Sequence, residues 1–380
     1  MLKLYGKIKS NNVDFEGRKL FYVTSNKNIP DILRDQYALL IVDKNITNGF
    51  GAYITFSETN NDIPNLFTLS DDYSYLGEGD IVRFDDKNGF ACVFRVNSRY
   101  NTFLLTEQCN HYCLMCSQPP KKIDDSWLFD QAMRVIEMIP KNTLYMGFSG
   151  GEPTLNSKGF IELLRKTKLT LPETGLDVLT NGRAFSDESY AKSVANVDHP
   201  KCTFGIPIYS HDPDRHNYVV QAKDAFDETV RGILNLKANK QKVEIRIVIH
   251  QQTIDHLIET CKYITRNLVF VDHVALMGLE ITGFTRANLD KLWIDPFDYK
   301  DTLSEAVRIL NQYGIPTSVY NHQLCTVNDD VRNNYQKSIS DWKNEYVAEC
   351  EGCSQMNDCG GFFSSSKKFR YSDKIKPYTQ

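Results

Sequence analysis

The 380-residue chain lacks any apolar run approaching the ~20 residues of a membrane-spanning helix. Its start, MLKLYGKIKSNNVDFEGRK, has no apolar core of the length a secretion signal needs. These absences lead to the expectation of a soluble, cytoplasmic protein with no membrane partner. An excess of one charge is also missing, since 44 Lys and Arg stand against 48 Asp and Glu for a net charge of −4. That balance gives no support for a general nucleic-acid or anionic-membrane binder. There is no internal repeat and no low-complexity stretch. With 41% hydrophobic and 24% charged residues, the chain falls among ordinary globular proteins of two or three domains rather than disordered ones.

What it does contain is cysteine, ten in all. In a reducing cytoplasm disulfides are rare, so metal binding or catalysis becomes the leading explanation. Cys109, Cys113 and Cys116 fall within eight residues, and Cys325, Cys350, Cys353 and Cys359 form a second group. Only Cys92, Cys202 and Cys261 stand apart, in or beside apolar runs, where a free cysteine acts as a small buried hydrophobe.

Three regions follow from patterning. Residues 1–98 carry short β-rich stretches (20–23, 38–42, 52–56) separated by Asn, Asp and Gly, and a hairpin with strands near 81–84 and 90–94 turning at Asp86 to Gly89. This reads as a small antiparallel β domain. Over 99–312, apolar runs alternate with amphipathic stretches, the pattern of repeated β-α units on a parallel sheet. Strands are expected at 103–106, 144–148, 176–179, 203–209, 243–249 and 274–278, with helices at 125–139, 157–166, 187–197, 224–238, 253–267 and 300–313. Six units fit an α/β fold with a partial (β/α)6 barrel better than a closed eight-strand one. The tail, 313–380, has few long apolar runs and the second cysteine group, so a metal is expected to help it fold.

The first group forms a C-x3-C-x2-C run in the loop after the first barrel strand. Three thiolates on one short loop can hold three corners of a [4Fe-4S] cluster and leave the fourth iron open to a ligand. A zinc site with His111 as fourth ligand is the competing reading. Gly150-Gly151-Glu152-Pro153 follows the second strand, Thr180-Asn181-Gly182 the third, and Tyr209-Ser210 ends the fourth. Paired glycines let backbone approach a ligand without Cβ interference, and strand C-termini are where a barrel assembles its site.

With these motifs in order, residues 100–310 resemble the radical S-adenosylmethionine (SAM) superfamily. The resemblance implies that SAM chelates the open iron of a cluster held by Cys109, Cys113 and Cys116, and is cleaved to methionine and a 5′-deoxyadenosyl radical that abstracts a substrate hydrogen. It assigns Gly150, Gly151 and Glu152 to the SAM amino group, and Thr180, Asn181 and Ser210 to its ribose or carboxylate. Arg246 on the fifth strand suits the carboxylate too, although with Glu244 nearby it equally fits an outer face under a helix. Met115 stands where this superfamily often has an aromatic residue against adenine, and a thioether can make that contact.

The tail spacing C-x2-C-x5-C, with Cys325 upstream, supplies four thiolates, enough for an iron–sulfur cluster or a tetrahedral zinc. Many radical SAM enzymes acting on peptides resemble it there, carrying auxiliary [4Fe-4S] clusters in Twitch or SPASM-like segments. Gly360-Gly361-Phe362-Phe363 follows with no later cysteine, so one auxiliary cluster fits at most. His111, His211, Asp212 and His216 are expected in loops above the barrel, as proton-shuttle candidates or simply solvated. Trp342 to Tyr346 is read as packing for the tail or as a peptide contact.

A narrower resemblance runs along nearly the whole chain. GEGDIVRF at 77–84, Cys-Leu-Met-Cys-Ser-Gln-Pro-Pro at 113–120 and Ser340-Asp341-Trp342-Lys343 ahead of Cys-Gly-Gly-Phe-Phe look like the C-type maturase of the His-Xaa-Ser system. It implies a precursor peptide or protein with His-Xaa-Ser repeats, a second radical SAM protein and, as in the superfamily, a reductase or flavodoxin-type electron donor. Two rival readings stand beside it. One is a radical SAM enzyme acting on a nucleotide or cofactor precursor, and the other is a non-catalytic, zinc-stabilised binding scaffold.

Overall fold

The structure, a computed structural model, describes residues 2–11, 13–42, 46–57, 63–337 and 344–379. The chain divides into two compact units, one of residues 2–101 with 131–144, the other of 102–130 with 145–380. Among the described residues no helix is long and apolar enough to cross a membrane.

The first unit is built on an eight-stranded sheet of β1 (Tyr5–Lys7), β2 (Lys9–Asn11), β3 (Arg18–Thr24), β4 (Tyr37–Leu40), β5 (Ala52–Thr55), β6 (Leu66–Thr68), β7 (Ile81–Asp85) and β8 (Gly89–Phe94), in the order β1-β8-β7-β3-β4-β5-β6-β2. The hairpin β7–β8 is present and antiparallel, but the domain is not the antiparallel one that the turn residues suggest. β3, β4, β5 and β6 pair in parallel. Parallel neighbours need a crossover, and the connections here run to roughly ten residues or more, against the two to five of a hairpin. One of them contains the 3₁₀ turn Asp31–Gln36. The core is aromatic: Phe67 stacks on Phe84 at 3.9 Å, with Phe15, Phe21 and Phe90 packed around the pair. Cys92 belongs to this core.

The second unit carries a seven-stranded sheet whose strands lie in chain order. They are β9 (Asn101–Leu104), β10 (Tyr145–Ser149), β11 (Gly175–Leu179), β12 (Cys202–Pro207), β13 (Lys242–Ile249), β14 (His273–Gly278) and β15 (Thr317–Tyr320). Every pairing from β10 to β15 is parallel, so the sheet curls into a half-barrel. The helices between strands are α1 (Trp127–Met138), most of which, from Gln131 on, is counted with the first unit, then α2 (Ser157–Thr170), α3 (Glu188–Ala195), α4 (Pro213–Val220), α5 (Ala225–Ala238), α6 (Leu257–Asn267), short α7 (Phe284–Ala287) and α8 (Leu289–Leu292), and α9 (Lys300–Gln312); α10 (Ser364–Phe369) lies in the tail. β15 extends the sheet one strand beyond the six expected units.

Alternation along the strands defines the two faces. On β13 the sequence KVEIRIVI buries Val243, Ile245, Ile247 and Ile249, while Glu244, Arg246 and Val248 are half-buried on the opposite face. The apolar face is the one helices cover, with Phe226, Ile233 and Leu236 of α5 and Leu257 and Ile264 of α6 buried there. The polar face lines the barrel lumen. Cys202 and Cys261 are 6% and 0% exposed, as small buried hydrophobes should be.

Candidate active site

The cysteine loop is an extension of β9 that remains in the sheet before it turns away. Leu105 N donates to Ser149 O, Gly151 N to Thr106 O and Glu152 N to Gln108 O, each at 2.8 Å. The buried Asp125 fixes the start of this stretch, accepting from the Thr106 hydroxyl, Glu107 N and Gln108 Nε2. Further on, Tyr112 N and Leu114 N donate to Val220 O and Val219 O at the end of α4. On the other side, Phe284 N, the Thr285 hydroxyl and Asn288 Nδ2 donate to the carbonyls of Cys116, Met115 and Leu114. The loop is thus held from three directions, without use of its cysteine side chains. Met115 is 7% exposed, in an apolar cluster with Tyr209, Val219, Val220, Ala225 and Leu292.

The glycines after β10 face this loop. A Cβ on Gly150 (φ +147°) would stand 2.3 Å from Thr106 O, and one on Gly151 2.0 Å from Gln108 O. Glu152 is buried, and its carboxylate accepts from Thr154 N (3.0 Å), the Thr154 and Thr180 hydroxyls (2.5 and 2.7 Å) and Asn181 N (2.6 Å). Burial raises its pKa, and the four donors offset part of that rise. Asn181 Nδ2 then donates to Asn110 Oδ1 at 2.6 Å, back on the cysteine loop. Loop, glycine turn and third-strand turn therefore form a closed ring of contacts. Gly150, Gly151, Glu152, Thr180 and Asn181 are brought together with Cys109. Ser210 is not part of this ring: its hydroxyl accepts from Asp212 N.

Arg246 lies in the lumen, not under a helix. Its guanidinium donates to Glu244 (2.8 Å) and to the Met277 sulfur (3.3 Å), while Glu244 also meets His273 Nδ1 (2.9 Å), whose Nε2 lies 2.9 Å from the Ser318 hydroxyl. Burial alone would raise the Glu244 carboxyl, but the His273 hydrogen bond and Arg246 outweigh it and hold it below the usual 4.5. The stabilisation this gives is complete above the unfolded-state pKa and is lost as pH falls through the lower folded one. Glu244→Gln is accordingly expected to lower the urea midpoint by a constant amount above about pH 5.5, with the gap to wild type closing at more acid pH. A gap that widens on acidification would contradict this pairing.

His211 lies in the bend before α4, as expected, but His111 and His216 differ from expectation. His216 sits on α4 rather than in a loop, and both it and His111 are buried. Burial brings their pKa values down to about 4 and about 3, and that of His250 to about 3, so all three stay neutral at physiological pH. Asp212 caps α4 by accepting from Asp214 N. Tyr209, unmarked by its motif, follows Thr203, Gly205 and Pro207 on the lumen face. Burial and the neighbouring Cys113 and Cys116 thiols push its phenol well up. Period-two alternation along β12 was the signal that would have found it.

In the tail, Cys325, Cys350, Cys353 and Cys359 line one cavity of about 340 Å³ with Tyr346, Met356 and Tyr378. Cys359 Sγ accepts from Leu324 N and Gly361 N, and Cys353 Sγ from Tyr378 N, each at 3.4 Å. Tyr346 packs this segment together, its hydroxyl donating to Met356 O and Cys359 O. Trp342 and the Ser340 to Lys343 motif lie outside the described residues.

The sequence profile of the radical SAM superfamily matches residues 103–264, from β9 into α6. Over these residues the barrel matches a radical SAM domain. The chain is also similar to a probable GTP 3′,8-cyclase of Methanocella arvoryzae, 25% identical over 162 residues, 41% of this chain and 50% of that protein. Among solved structures it is similar to anSMEcpe with bound AdoMet (TM-score 0.50, 16% identity, 73% of this chain and 92% of that one). It is also similar to SuiB of Streptococcus suis bound to S-adenosylmethionine (TM-score 0.48, 15% identity, 57% and 49%). The chain spans about half the length of the cyclase and of SuiB.

Radical SAM domains use a [4Fe-4S] cluster and SAM. The residues present fit a cationic iron centre. Burial raises the Cys109 thiol to about 12 and pushes Cys113 and Cys116 upward as well, and the Cys109 and Cys113 shifts include repulsion between these thiols. Such thiols ionise when a metal ligates them. His111 N already donates to Cys109 Sγ at 3.3 Å. Among the described residues no three His, Cys, Asp or Glu side chains converge on the position of a single ion. A four-iron cube bonds each thiolate to a different iron, which spreads its ligands further apart than one zinc does.

Proposed function

We propose that the chain is a radical SAM enzyme that modifies a peptide. The observation that carries the radical SAM reading is the ring joining the Cys109–Cys116 loop to Gly150–Glu152 and Thr180–Asn181. In this reading Cys109, Cys113 and Cys116 hold the SAM-binding [4Fe-4S] cluster, which supplies the electron that splits SAM into methionine and a 5′-deoxyadenosyl radical. Backbone at Gly150 and Gly151 faces the SAM amino group, and Glu152 keeps that backbone in place. Asn181, Thr180 and Ser210 would hold the ribose or carboxylate, Met115 and Tyr209 would border the adenine, and Arg246 would pair with the carboxylate. Residues 99–312 perform the chemistry, and 313–380 form an auxiliary segment in which Cys325, Cys350, Cys353 and Cys359 hold a second cluster, with zinc as the competing occupant.

A peptide substrate is supported by the tail's four-cysteine cavity, by the wider cavity beside it described below, and by the shared fold of anSMEcpe, solved with AdoMet and a Cp18Cys peptide. The resemblance to the His-Xaa-Ser maturase narrows the partner to a precursor with His-Xaa-Ser repeats, alongside an electron donor and a second radical SAM protein. The partial match to a GTP cyclase favours a nucleotide as the second reading. Both are tested by incubating the reduced, reconstituted protein and SAM with a peptide carrying His-Xaa-Ser repeats, or with GTP, and following 5′-deoxyadenosine and substrate mass. A mass change in GTP alone would overturn the peptide reading.

The two metal sites separate in a further variant. Cys353→Ala is expected to lower iron by about four per chain while 5′-deoxyadenosine formation persists. Zinc loss with unchanged iron would assign the tail to zinc.

A further inference from the structure

At the C-terminal ends of β13, β14 and β15, a solvent-open cleft of about 660 Å³ lies between the barrel and the tail. Its walls connect the two cysteine regions. Leu279 belongs to both this cavity and the apolar cluster around Met115 and Tyr209. Gln323 lines both this cavity and that of the four tail cysteines, and its Nε2 donates to Gly361 O between them. Its lining is mixed, with Trp293, Pro296, Phe362 and Phe363 beside Gln323, Ser366 and Arg370.

One cationic group on this wall has no partner of opposite charge. The Arg370 guanidinium lies 4.0 Å from the Trp293 ring centroid, and among the described residues it makes no ion pair or side-chain hydrogen bond. Nearby, Arg286 is likewise stacked, 4.7 Å from the Phe369 ring, with no carboxylate partner among the described residues. The other cations of this edge are already used: Lys367 pairs with Glu345 at 3.2 Å, and Lys374 with Asp298. A guanidinium fixed on an indole has lost much of its rotamer freedom already, so less is lost when it binds, and its planar fork matches a carboxylate in a bidentate way. With Lys367 and Lys374 matched by Glu345 and Asp298, the uncompensated charge of this edge is that of Arg370 and of Lys368, which lies over the Phe369 ring, against Asp373.

We propose that Arg370, held on Trp293, binds an acidic side chain of the substrate peptide next to an apolar residue seated in this cavity. The inference rests on the peptide reading of the site. It assigns the tail a second task besides holding metal, since α10 and the residues after it supply the charged rim of the substrate cavity.

The test uses reconstituted holoenzyme and two fluorescein-labelled octapeptides of one sequence, in which a phenylalanine is followed by Glu or by Gln. By anisotropy at low salt, the Glu peptide is expected to bind about tenfold more tightly. Raising the salt should narrow that difference, because the pair lies at an exposed rim. Arg370→Gln should remove the preference, and Arg370→Lys should keep part of it, as expected for charge without the bidentate fork. Equal binding of the two peptides, binding of neither, or a preference that survives Arg370→Gln overturns the proposal. So does an Arg370→Gln variant that loses affinity for GTP alone. Formation of 5′-deoxyadenosine by the wild type is scored separately: its absence defeats the radical SAM reading whatever the peptides do, whereas its presence without Glu-over-Gln discrimination defeats only this inference.

Discussion

Cys113→Ala is expected to reduce 5′-deoxyadenosine formation to background and to remove about four irons per chain, while leaving the far-ultraviolet circular dichroism and the melting temperature of the metal-free protein close to wild type. The second half of this expectation makes the variant informative. Cys113 is flanked by Tyr112 and Leu114, whose backbone N–H groups donate to Val220 O and Val219 O, and the Leu114, Met115 and Cys116 carbonyls are held by Asn288, Thr285 and Phe284. None of these bonds uses the Cys113 side chain. Alanine removes only a sulfur from the margin of the apolar cluster, where Cys113 is a partly buried neighbour of the buried Met115, Tyr209 and Val219. A folded protein without the cluster is therefore expected, and the product assay then reports ligation rather than collapse. Undiminished 5′-deoxyadenosine with full iron would refute the assignment of this loop as the cluster site.

The contacts that hold this loop show what a sequence can and cannot reveal. Strands such as β13 and helices such as α5 were legible because the sheet is covered by helices on one face, which forces a period of two on the strand and a longer one on the helix. The same alternation placed Arg246 on the polar face of β13 but could not say whether that face was lumen or surface, because an open barrel leaves its lumen half-exposed. Only the burial of the alternate residues Val243, Ile245 and Ile247 under α5 and α6 decides it. β15 escaped notice because four residues, Thr317–Tyr320, carry too short a pattern to register. The clamp on the cysteine loop was hidden for a different reason. Asn288 reaches Leu114 across 174 residues of chain and Thr285 reaches Met115 across 170, and nothing local in Phe284-Thr285-Arg286-Ala287-Asn288 marks it. Asp125 looked like the start of a helix, whereas its carboxylate is the anchor of the stretch before Cys109.

The paired glycines carry the second large prediction, because sequence and structure give them different reasons to be there. Read as a motif, Gly150-Gly151 lets backbone approach a ligand. In the fold, the space a side chain would need at either position is already filled by the cysteine loop: Thr106 O lies 2.3 Å from a Cβ on Gly150, and Gln108 O and C lie 2.0 and 2.5 Å from one on Gly151. These are backbone atoms within a hydrogen-bonded ladder, so they cannot turn aside as a flexible side chain would. Gly150 also holds φ +147°, a conformation that strains any other residue. Gly151→Ala must therefore push the loop away, breaking the bonds from Gly151 N to Thr106 O and from Glu152 N to Gln108 O. Displacing Glu152 in turn loosens Thr180 and Asn181, which depend on its carboxylate. The expected cost is about 3 kcal/mol, seen as a melting temperature roughly 5–10 °C lower in the metal-free, SAM-free protein, together with poor iron loading. If the glycines served ligand approach alone, the metal-free variant would melt like wild type and take up iron normally, and only its SAM affinity would fall. Calorimetry of the metal-free protein thus separates a glycine pair that admits the cofactor from one that first admits the loop holding it.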